Sequence, residues 1–229
     1  MSQPDPSTPR PAAVVLLAAG AGTRMKSKTM KVLHPLCGRS LIGHVIAASQ
    51  ALHPDHLVAV VGNQRDQVQP HILEQVPEAV VAVQETQDGT GHAVRIAMEA
   101  LQQQAGTTDG TVVVMFGDTP LLEADTVAGL VADHAGTGRA LTILTAELEA
   151  PFGYGRIIRD ESGGVAAIVE QKDATPEQAA IREINSGIFA FDGAFLAEAV
   201  TKIGNDNANR EYYLTDVVAI ARDQGRAVG

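Results

Sequence analysis

A short, wholly apolar run, Val14 to Leu17, leads directly into the small-residue segment Ala18-Ala19-Gly20-Ala21-Gly22. Such a run is typical of a strand that is buried on both faces of a parallel sheet. Glycine lets the backbone turn with positive φ and come close to a ligand. Two cations, Arg24 and Lys31, follow within the same loop. Because backbone N–H groups and cations can share phosphate charge, this stretch predicts a polyphosphate-binding loop after a buried strand.

The loop differs from two common phosphate-binding motifs. The Rossmann fingerprint has a third glycine that opens a helix, but Met25 stands at that position and the next helical pattern begins only near Ser40. The P-loop pattern G-x-x-x-x-G-K-[ST] does not occur in the chain. A plain glycine turn with solvated cations stays open as the structural alternative.

Buried strands and amphipathic helices alternate over residues 13–146. The apolar runs at 57–62, 79–83, 111–116 and 140–146 predict further strands. The segments 40–52, 64–75 and 124–134 predict helices, as does a segment that begins at Thr90, with Ser40 and Thr90 as N-caps. Strands and helices that alternate with short connections predict an α/β fold with a doubly wound, mostly parallel Rossmann-like sheet.

The pattern changes at Pro151. Residues 153–159 and 165–171 predict paired strands around a turn at 160–164, and Thr175-Pro176 predicts the start of a short helix. A strand at 183–191 is interrupted by Asn185-Ser186-Gly187, and helices are expected near 194–202 and 214–222. We expect a disordered tail at 1–11 and one folding unit at 12–229. In that unit a nucleotide half (about 12–150) precedes a small β-rich half (about 151–229) suited to a second substrate.

Composition excludes several classes of function. The net charge is −10 and aromatic residues make up 3% of the chain, with no tryptophan, so neither an electrostatic footprint for nucleic acid nor a base-stacking platform is present. A single cysteine allows no intrachain disulfide and fits a reducing compartment. No apolar run approaches the roughly 20 residues that span a bilayer. These features predict a cytoplasmic protein that binds neither nucleic acid nor membrane.

Polar residues at strand ends are candidates for ligand contacts, since ligands bind beyond the carboxyl ends of the strands in open α/β sheets. Asp118 follows the run 111–116, and a carboxylate at that edge suits Mg²⁺, which is held by one or two carboxylates and phosphate oxygens. The alternative is that Asp118 caps a turn before Pro120. Gln84 and Gly89-Thr90-Gly91 offer groups that could bind a base edge, although Gly-Thr-Gly is also common at a helix start.

Three residues of the second half could contact a sugar. Glu170 ends a predicted strand, Asn185 interrupts one, and Gly155 lets the backbone approach a ligand. Hydroxyl or acetamido groups would be their partners, and surface or turn roles are equally open. The seven histidines have no metal-ligand spacing and none pairs with a serine or cysteine motif, so nucleophilic hydrolysis has no support.

As a set, these segments resemble the motifs of sugar-nucleotide pyrophosphorylases. They resemble most closely the N-terminal uridyltransferase domain of the bacterial bifunctional N-acetylglucosamine-1-phosphate uridyltransferase/glucosamine-1-phosphate acetyltransferase family. The resemblance covers nearly all of residues 13–229. The matching segments, in order, are Leu17 to Met25, Lys31 to His34, Gln84 with Gly89 to Ala93, Gly117 to Leu121, Phe152 to Ile157, Ile168 to Ala174, Glu183 to Gly187, Asn207-Ala208, and Glu211 to Asp216.

The resemblance implies a role for each candidate residue. Arg24 and Lys31 would neutralise the triphosphate and the transition-state charge, and Asp118 would bind Mg²⁺. The residues implied to hold uridine are Ala19, Gly20, Gly22, Gln84, Gly89 and Thr90. Those implied to hold the N-acetylglucosamine part are Gly155, Glu170 and Asn185.

The chain departs from the family at a few points. Met30 and Phe116 stand where relatives often have proline and tyrosine. The family's second metal ligand, an asparagine in a Val-Glu-Gly-x-Asn segment, and its C-terminal β-helix acetyltransferase domain would follow the equivalent of Gly229 and do not occur in this sequence. We therefore expect a shortened form, monomeric where the full-length family member is a homotrimer.

The implied reaction is Mg²⁺-dependent uridylyl transfer. UTP and N-acetylglucosamine 1-phosphate would give UDP-N-acetylglucosamine, a cell-wall precursor, and pyrophosphate, by in-line attack on the α-phosphorus without a covalent intermediate. Two alternatives stay open: a nucleotidyltransferase of other specificity, for a hexose 1-phosphate or a molybdopterin cofactor, and a nucleotide-sugar-binding module of low activity. A nicotinamide-dependent dehydrogenase fits less well, because the loop lacks the third glycine.

Overall fold

A computed structural model describes residues 9–20, 22 and 25–229 of the chain. Within this part, eight strands form one mixed sheet and two short strands form a separate hairpin. The sheet strands are β1 (Ala13–Ala18), β4 (His56–Val61), β5 (Val80–Val83), β6 (Thr111–Phe116), β7 (Leu141–Glu147), β8 (Arg156–Arg159), β9 (Val165–Val169) and β10 (Glu183–Asp192); the hairpin is β2 (Pro35–Leu36) and β3 (Arg39–Ser40).

Four parallel strands in the order β5-β4-β1-β6 form the nucleotide-side half of the sheet. Every residue of β1 is buried, because strands lie on both of its edges and helices cover both of its faces. The short apolar runs thus form the parallel sheet that the sequence predicts. Since all four strands point the same way, the segments that follow Ala18, Val61, Val83 and Phe116 meet at one edge of the sheet.

Seven α-helices lie in the described part of the chain, and six of them cover the sheet in two layers. The helices are α1 (Leu41–Gln50), α2 (Arg65–Gln75), α3 (Thr90–Ala105), α4 (Ala124–Ala135), α5 (Pro176–Ala179), α6 (Gly193–Ala199) and α7 (Val217–Asp223). One core joins β1, β4 and β6 to α3, α6 and α7, and the other joins the opposite faces of the same strands to α1, α2 and α4. Alternate residues along β1, such as Val14 and Val15, therefore belong to different cores.

Strand β10 connects the two halves of the molecule. Its end around Phe189–Asp192 pairs antiparallel with β6, while Ile184 pairs with Arg156 on β8 along the same edge. The other edge of β10 pairs with β7 and shifts register between Asn185 and Ile188. The predicted interruption at residues 185–187 is thus an irregularity within one continuous ten-residue strand, and the β8–β9 pair extends the main sheet.

Of the two predicted helix N-caps, one is confirmed and one is wrong. Ser40 caps α1, and its Oγ accepts a hydrogen bond from the Gly43 N–H at 3.0 Å, as predicted. Thr90 does not cap α3: the N-cap is Gly89, and the Thr90 hydroxyl accepts a hydrogen bond from the distant Leu214 N–H at 3.0 Å. That hydroxyl is engaged by a segment far along the chain, which local sequence does not reveal.

None of the helices in the described part is long and apolar enough to cross a membrane.

The predicted N-terminal tail is only partly covered by the structure. Residues 1–8 lie outside the described part. Arg10 donates a hydrogen bond to the His53 carbonyl at 2.8 Å, and the Pro11 carbonyl accepts one from the Asp55 N–H at 3.2 Å. The chain is therefore attached to the β4 end of the molecule from Arg10 onward.

Candidate active site

Two adjoining cavities lie at the edge where the parallel strands end. The first has a volume of about 380 Å³ and is lined by the segment after β1, by Gln84 and by the start of α3. The second, of about 700 Å³, is lined by β10 and by the loops around β8 and β9. The residues that line both are Lys31, Thr90, Phe116, Asp118 and Glu211. The two cavities therefore share one wall.

The segment after β1 forms one side of the first cavity, which Ala19, Gly20 and Gly22 line. Gly22 has a φ of +60°, and a Cβ there would lie 2.6 Å from the Cβ of Lys31. Glycine at this position therefore allows the loop to pass close to Lys31. On the other side, the Gln87 side-chain amide donates a hydrogen bond to the Ala19 carbonyl at 2.6 Å. Gln87 thus braces the loop from the segment between β5 and α3.

The opposite side of the first cavity is the turn between Gln84 and Thr90. Gln84 is almost completely buried, and its Nε2 donates to the Gly89 carbonyl at 3.1 Å. Gly89 has a φ of +109°, and a Cβ there would lie 2.5 Å from the Tyr212 carbonyl. That carbonyl accepts a hydrogen bond from the Gly91 N–H at 2.7 Å. The turn is therefore held against the segment 211–215 by backbone contacts that only glycine permits.

Lys31 and Asp118 meet in the wall between the cavities. The Lys31 ammonium forms an ion pair with the Asp118 carboxylate. Their side chains keep 35% and 25% of their surface exposed, so both groups are accessible to a ligand. Lys31 lies in a 3₁₀ turn (Lys31–Leu33), and Asp118 is the second residue after the end of β6. Loop and strand therefore bring a cation and a carboxylate together between two spaces that could each hold a substrate.

The donor set around Asp118 suits a metal that substrates help to bind. No group of three or more His, Cys, Asp or Glu side chains within the described residues could hold a metal ion alone. Mg²⁺ is commonly bound by one or two carboxylates together with phosphate oxygens and water. The accessible Asp118 carboxylate beside the first cavity fits that arrangement. A metal with an all-protein ligand cage would not be served by these residues.

The three sugar-contact candidates lie together on the second cavity. The Gly155 carbonyl accepts a hydrogen bond from the Asn185 N–H at 2.9 Å. The Asn185 Oδ1 accepts one from the Gly187 N–H at 2.9 Å, which leaves the Nδ2 donors for other partners. Thr215 donates from its hydroxyl to the Glu170 Oε1 at 3.3 Å. Amide donors and a carboxylate therefore share one cavity, a combination suited to hydroxyl and acetamido groups.

The electrostatic environment of Glu170 is unfavourable for its charge. Burial raises the pKa of its carboxyl above the ordinary value, the Thr215 hydrogen bond lowers it, and the negative charges of Asp173, Asp216 and Glu211 raise it further. A charged group is kept half-buried only where a partner repays its desolvation. This carboxylate is therefore a group that would gain from a hydrogen-bonding ligand.

A fully buried arginine organises the loop in front of Glu170. Arg156, which is 2% exposed, donates to the Tyr154 carbonyl, to the Gln171 Oε1 at 2.8 Å and to the Ala179 carbonyl at 3.2 Å. Gln171 Oε1 also accepts a hydrogen bond from the Gly153 N–H at 2.9 Å. Arg156 thus joins residues 153–154, the end of β9 and helix α5 through hydrogen bonds to neutral acceptors.

The structure brings most of the predicted site residues together. Those on the first cavity alone are Ala19, Gly20, Gly22, Gln84 and Gly89; those on the second alone are Gly155, Glu170 and Asn185; Lys31, Thr90 and Asp118 lie on both. Arg24 lies outside the described residues.

Sequence reasoning assigned no role to several residues of these cavities. Gln87 lines the first, Tyr213 and Thr215 line the second, and Glu211 lines both. The Tyr213 hydroxyl is enclosed and has no hydrogen-bond partner among the described residues. The run 211–216 was one of the segments that carry the family resemblance, and this was the available signal.

A comparison with protein-family models places the chain in a known protein family. The model described as the MobA-like NTP transferase domain matches residues 14–181. The chain belongs to this family. An NTP transferase moves a nucleotidyl group, which agrees with two adjoining cavities around a shared lysine and carboxylate.

Similar curated proteins narrow the relationship within the NTP transferases. The chain is 59% identical over 221 residues to the bifunctional protein GlmU of Streptomyces coelicolor and 55% identical over 223 residues to that of Thermobifida fusca. These alignments cover 96% and 97% of the chain but 45% and 46% of the relatives. The chain thus spans about half the length of the curated relatives it matches.

A solved structure supports the fold of this NTP transferase. The crystal structure of a UDP-glucose pyrophosphorylase complexed with UDP-glucose superposes with a TM-score of 0.72. The match covers 93% of the chain and 88% of that protein at 15% sequence identity. At this identity the likeness concerns the fold, a mostly parallel mixed sheet with helices on both faces.

Proposed function

We propose that this NTP transferase transfers a uridylyl group from UTP to N-acetylglucosamine 1-phosphate, giving UDP-N-acetylglucosamine and pyrophosphate. The observation that carries the proposal is the shared wall: Lys31 and Asp118 stand between a cavity suited to a nucleotide and one suited to a sugar. Identity of 51–59% to GlmU proteins along the described fold supports the choice of reaction. The nucleotide half would be about 12–150 and the sugar half about 151–229.

The reaction needs little chemistry from the protein itself. A phosphate monoester is largely dianionic near neutral pH, since its second pKa is about 6, so it can attack the α-phosphorus without a general base. Catalysis then consists of positioning and charge stabilisation. Lys31 would exchange its bond with Asp118 for bonds to phosphate oxygens. Arg24, in the same loop, would add a second cation, and its loss should lower kcat more than substrate affinity.

A divalent metal ion completes the proposed site. Nucleotidyltransferases of this kind generally use one. We assign Mg²⁺, because Asp118 offers one hard oxygen donor beside the phosphate side of the first cavity. When bound, the ion would neutralise phosphate charge. Asp118 would hold it, and Lys31, now paired with Asp118, would be available for phosphate oxygens.

Side chains on the two cavities suit the two halves of the product. Gln84 and the turn at Gly89 and Thr90 would hold the uracil edge, and the segment after β1 would hold the ribose and phosphates. On the sugar side, the Asn185 Nδ2 would donate to the acetamido carbonyl and Glu170 would accept from a sugar hydroxyl. A hydroxyl partner would repay part of the desolvation of the Glu170 carboxylate.

Pyrophosphate release tests the proposal directly. The wild-type chain would be incubated with UTP and either N-acetylglucosamine 1-phosphate or glucose 1-phosphate, with Mg²⁺ or with EDTA. We expect Mg²⁺-dependent release that favours the acetamido sugar and that is lost in Asp118→Asn. Binding of UDP-N-acetylglucosamine without turnover would instead favour a binding module of low activity. If the chain neither releases pyrophosphate nor binds UDP-N-acetylglucosamine, the proposal is refuted.

A second candidate is a nucleotidyltransferase of different specificity. The family model that matches is named for MobA-like enzymes, and its match ends at residue 181, before much of the sugar-side cavity. A molybdopterin cofactor or another hexose 1-phosphate is therefore the alternative acceptor. Competition between N-acetylglucosamine 1-phosphate and these compounds would separate the two candidates.

The setting of the reaction follows from the same proposal. A single cysteine suits the cytoplasm, where the product would serve as a cell-wall precursor. UTP, N-acetylglucosamine 1-phosphate, UDP-N-acetylglucosamine and pyrophosphate are the proposed partners. We propose that this chain is a monomer and that longer forms are homotrimers, which light scattering of each form would test.

A further inference from the structure

The orientation of one buried amide in the nucleotide cavity is fixed by its neighbours. The Gln84 Nε2 lies 3.1 Å from the Gly89 carbonyl oxygen. A carbonyl oxygen only accepts hydrogen bonds, so the NH₂ group and not the Oε1 of Gln84 must face it. The carboxamide of Gln84 therefore has one favourable orientation of its two ends.

A histidine in the first turn of α3 receives the second hydrogen of the same amide. The His92 Nδ1 lies 3.2 Å from the Gln84 Nε2. Since the Gly89 contact identifies Nε2 as the donor, Nδ1 must be the acceptor, and the ring proton of neutral His92 must lie on Nε2. The tautomer of His92 and the orientation of Gln84 are thus determined together.

With both amide hydrogens engaged, the Gln84 Oε1 is left as an acceptor. It has no hydrogen-bond partner among the described residues, and Gln84 lines the first cavity. A ligand that meets this oxygen must present a donor. Uracil presents one, its ring N3–H, whereas the N3 of cytosine is an acceptor and would face the oxygen without a bond.

We propose that His92 is a positioning residue that makes the site select uracil over cytosine by holding the Gln84 amide in this orientation. The proposal rests on the proposed function, since it assumes that Gln84 meets the base. His92 itself need not touch the nucleotide. Its contribution lies in the acceptor nitrogen that it presents to Gln84.

The other groups near the His92 ring leave this contact in place. The Asp88 carboxylate lies 3.7 Å from Nδ1, beyond hydrogen-bond distance. The remaining neighbours are the Tyr212 ring, with its centroid 6.3 Å from that of His92, and Arg95, whose guanidinium lies 5.7 Å from the Tyr212 centroid. Without an acceptor at the Nδ1 position, one of the hydrogen bonds that fix the Gln84 amide is lost.

The experiment compares UTP with CTP as nucleotidyl donor for N-acetylglucosamine 1-phosphate, each as kcat/KM. The two triphosphates ionise alike, so the UTP/CTP ratio isolates the base contact from phosphate titration. The variants are His92→Asn, which keeps an acceptor near the Nδ1 position, and His92→Leu, which has none. Each variant is compared with the wild type under the same conditions.

We expect the UTP/CTP ratio of His92→Leu to lie roughly threefold to tenfold below that of the wild type, the effect of one hydrogen bond. His92→Asn should keep most of the wild-type ratio. If His92→Leu does not fold, His92→Ala, which also lacks the acceptor, takes its place.

The results separate failure of this inference from failure of the proposed function. A wild-type enzyme that uses UTP, together with a His92→Leu UTP/CTP ratio equal to that of the wild type, would overturn the inference and leave the proposed function standing. A folded wild-type chain without uridylyl transfer would overturn the proposed function and, with it, this inference.

Discussion

The ammonium group of Lys31 and the carboxylate of Asp118 are paired with each other in the wall that separates the two cavities. Under the proposed function, each of them has a different partner during the reaction: phosphate oxygens for Lys31 and a metal ion for Asp118. The ion pair therefore keeps both charges neutralised until substrates arrive. It also places the proposed cation and the proposed metal ligand at the same point between the two substrates.

Replacement of Lys31 tests its role in charge stabilisation. Lys31→Ala should lower kcat/KM for UTP by about 10²- to 10³-fold, the typical effect of removing one group that stabilises transition-state charge. The fold should change little, because partly exposed ion pairs contribute only about 0–1 kcal/mol. Steady-state kinetics with thermal unfolding would measure both effects.

The matched control is another lysine in an ion pair. Lys202 pairs with Glu198 in a partly exposed position away from both cavities. Lys202→Ala should leave the kinetics unchanged. An enzyme that keeps normal activity after Lys31→Ala would contradict the assigned role.

Replacement of Glu170 by glutamine should stabilise the fold and weaken binding of the sugar phosphate. Because burial raises its pKa, the folded state holds the proton more tightly than the unfolded state, so stability falls as pH rises through the raised pKa. Glu170→Gln should therefore be more stable than wild type at pH 7. This advantage should vanish below about pH 4, where the carboxyl is protonated in both states. Its KM for N-acetylglucosamine 1-phosphate should rise at least about tenfold.

Glu183 provides a control of opposite sign. The hydrogen bond from Arg159, at 2.8 Å, is the main cause that lowers the pKa of Glu183. Its contribution to stability is present above the ordinary carboxyl pKa and is lost as pH falls through the lowered pKa. Glu183→Gln should thus be less stable than wild type at pH 7, by up to about 1 kcal/mol. Denaturant unfolding at several pH values would compare the variants. If Glu170→Gln and Glu183→Gln change the free energy of unfolding at pH 7 in the same direction, the assignment is refuted.

Arg156 should act on the sugar side of the site only. Arg156→Met leaves the carbonyls of Tyr154 and Ala179 without their donor, and the Gln171 Oε1 keeps only the Gly153 N–H. We expect a loss of roughly 1–3 kcal/mol in the free energy of unfolding, as for buried acceptors that lose a partner. The KM for the sugar phosphate should rise and that for UTP should stay unchanged. Arg159→Met, on the exposed end of the same strand, is the control, and an equal effect of both variants on the sugar KM would argue against the role.

Gly187 should not tolerate a side chain. Its φ is +82°, and a Cβ would collide with the Phe116 ring. Gly187→Ala should destabilise the fold by at least about 1–2 kcal/mol, the cost of a left-handed backbone for an L-residue. Gly129 lies in the exposed part of α4, with open space where a Cβ would lie. Gly129→Ala should instead raise the free energy of unfolding by about 0.5–1 kcal/mol. Two variants of the same chemistry would then shift the melting temperature in opposite directions.

The sequence was most informative where one pattern determines one structure. A wholly apolar run such as Val112 to Met115 has no solvent-facing side and fits only a strand covered on both faces, as observed. The prediction that Thr90 caps α3 was wrong for the opposite reason. Its hydroxyl is used by Leu214, whose approach depends on the packing of the whole second half. Local sequence carries no trace of that contact.

The candidate site was predictable to the extent that its residues follow strands. Asp118 and Gln84 come just after strands, and the topology brings them to one edge. Arg156 could not be recognised, because an arginine within a strand predicts an exposed face and its neutral acceptors are scattered in sequence. The role of Gln87 was not predicted for the same reason, since its hydrogen-bond partner, Ala19, is 68 residues away.

The shared strand β10 limits how the enzyme can release its product. One part of β10 is hydrogen-bonded to β6, whose carboxyl end leads to the first cavity, and another part pairs with β8, beside the second. A clamshell motion that separates the two halves would have to break these ladders. The irregularity between Asn185 and Ile188 is the one place where the pairing with β7 already slips. Under the proposed function, access to a bound nucleotide sugar would therefore depend on the loops at the cavity mouths rather than on separation of the two halves.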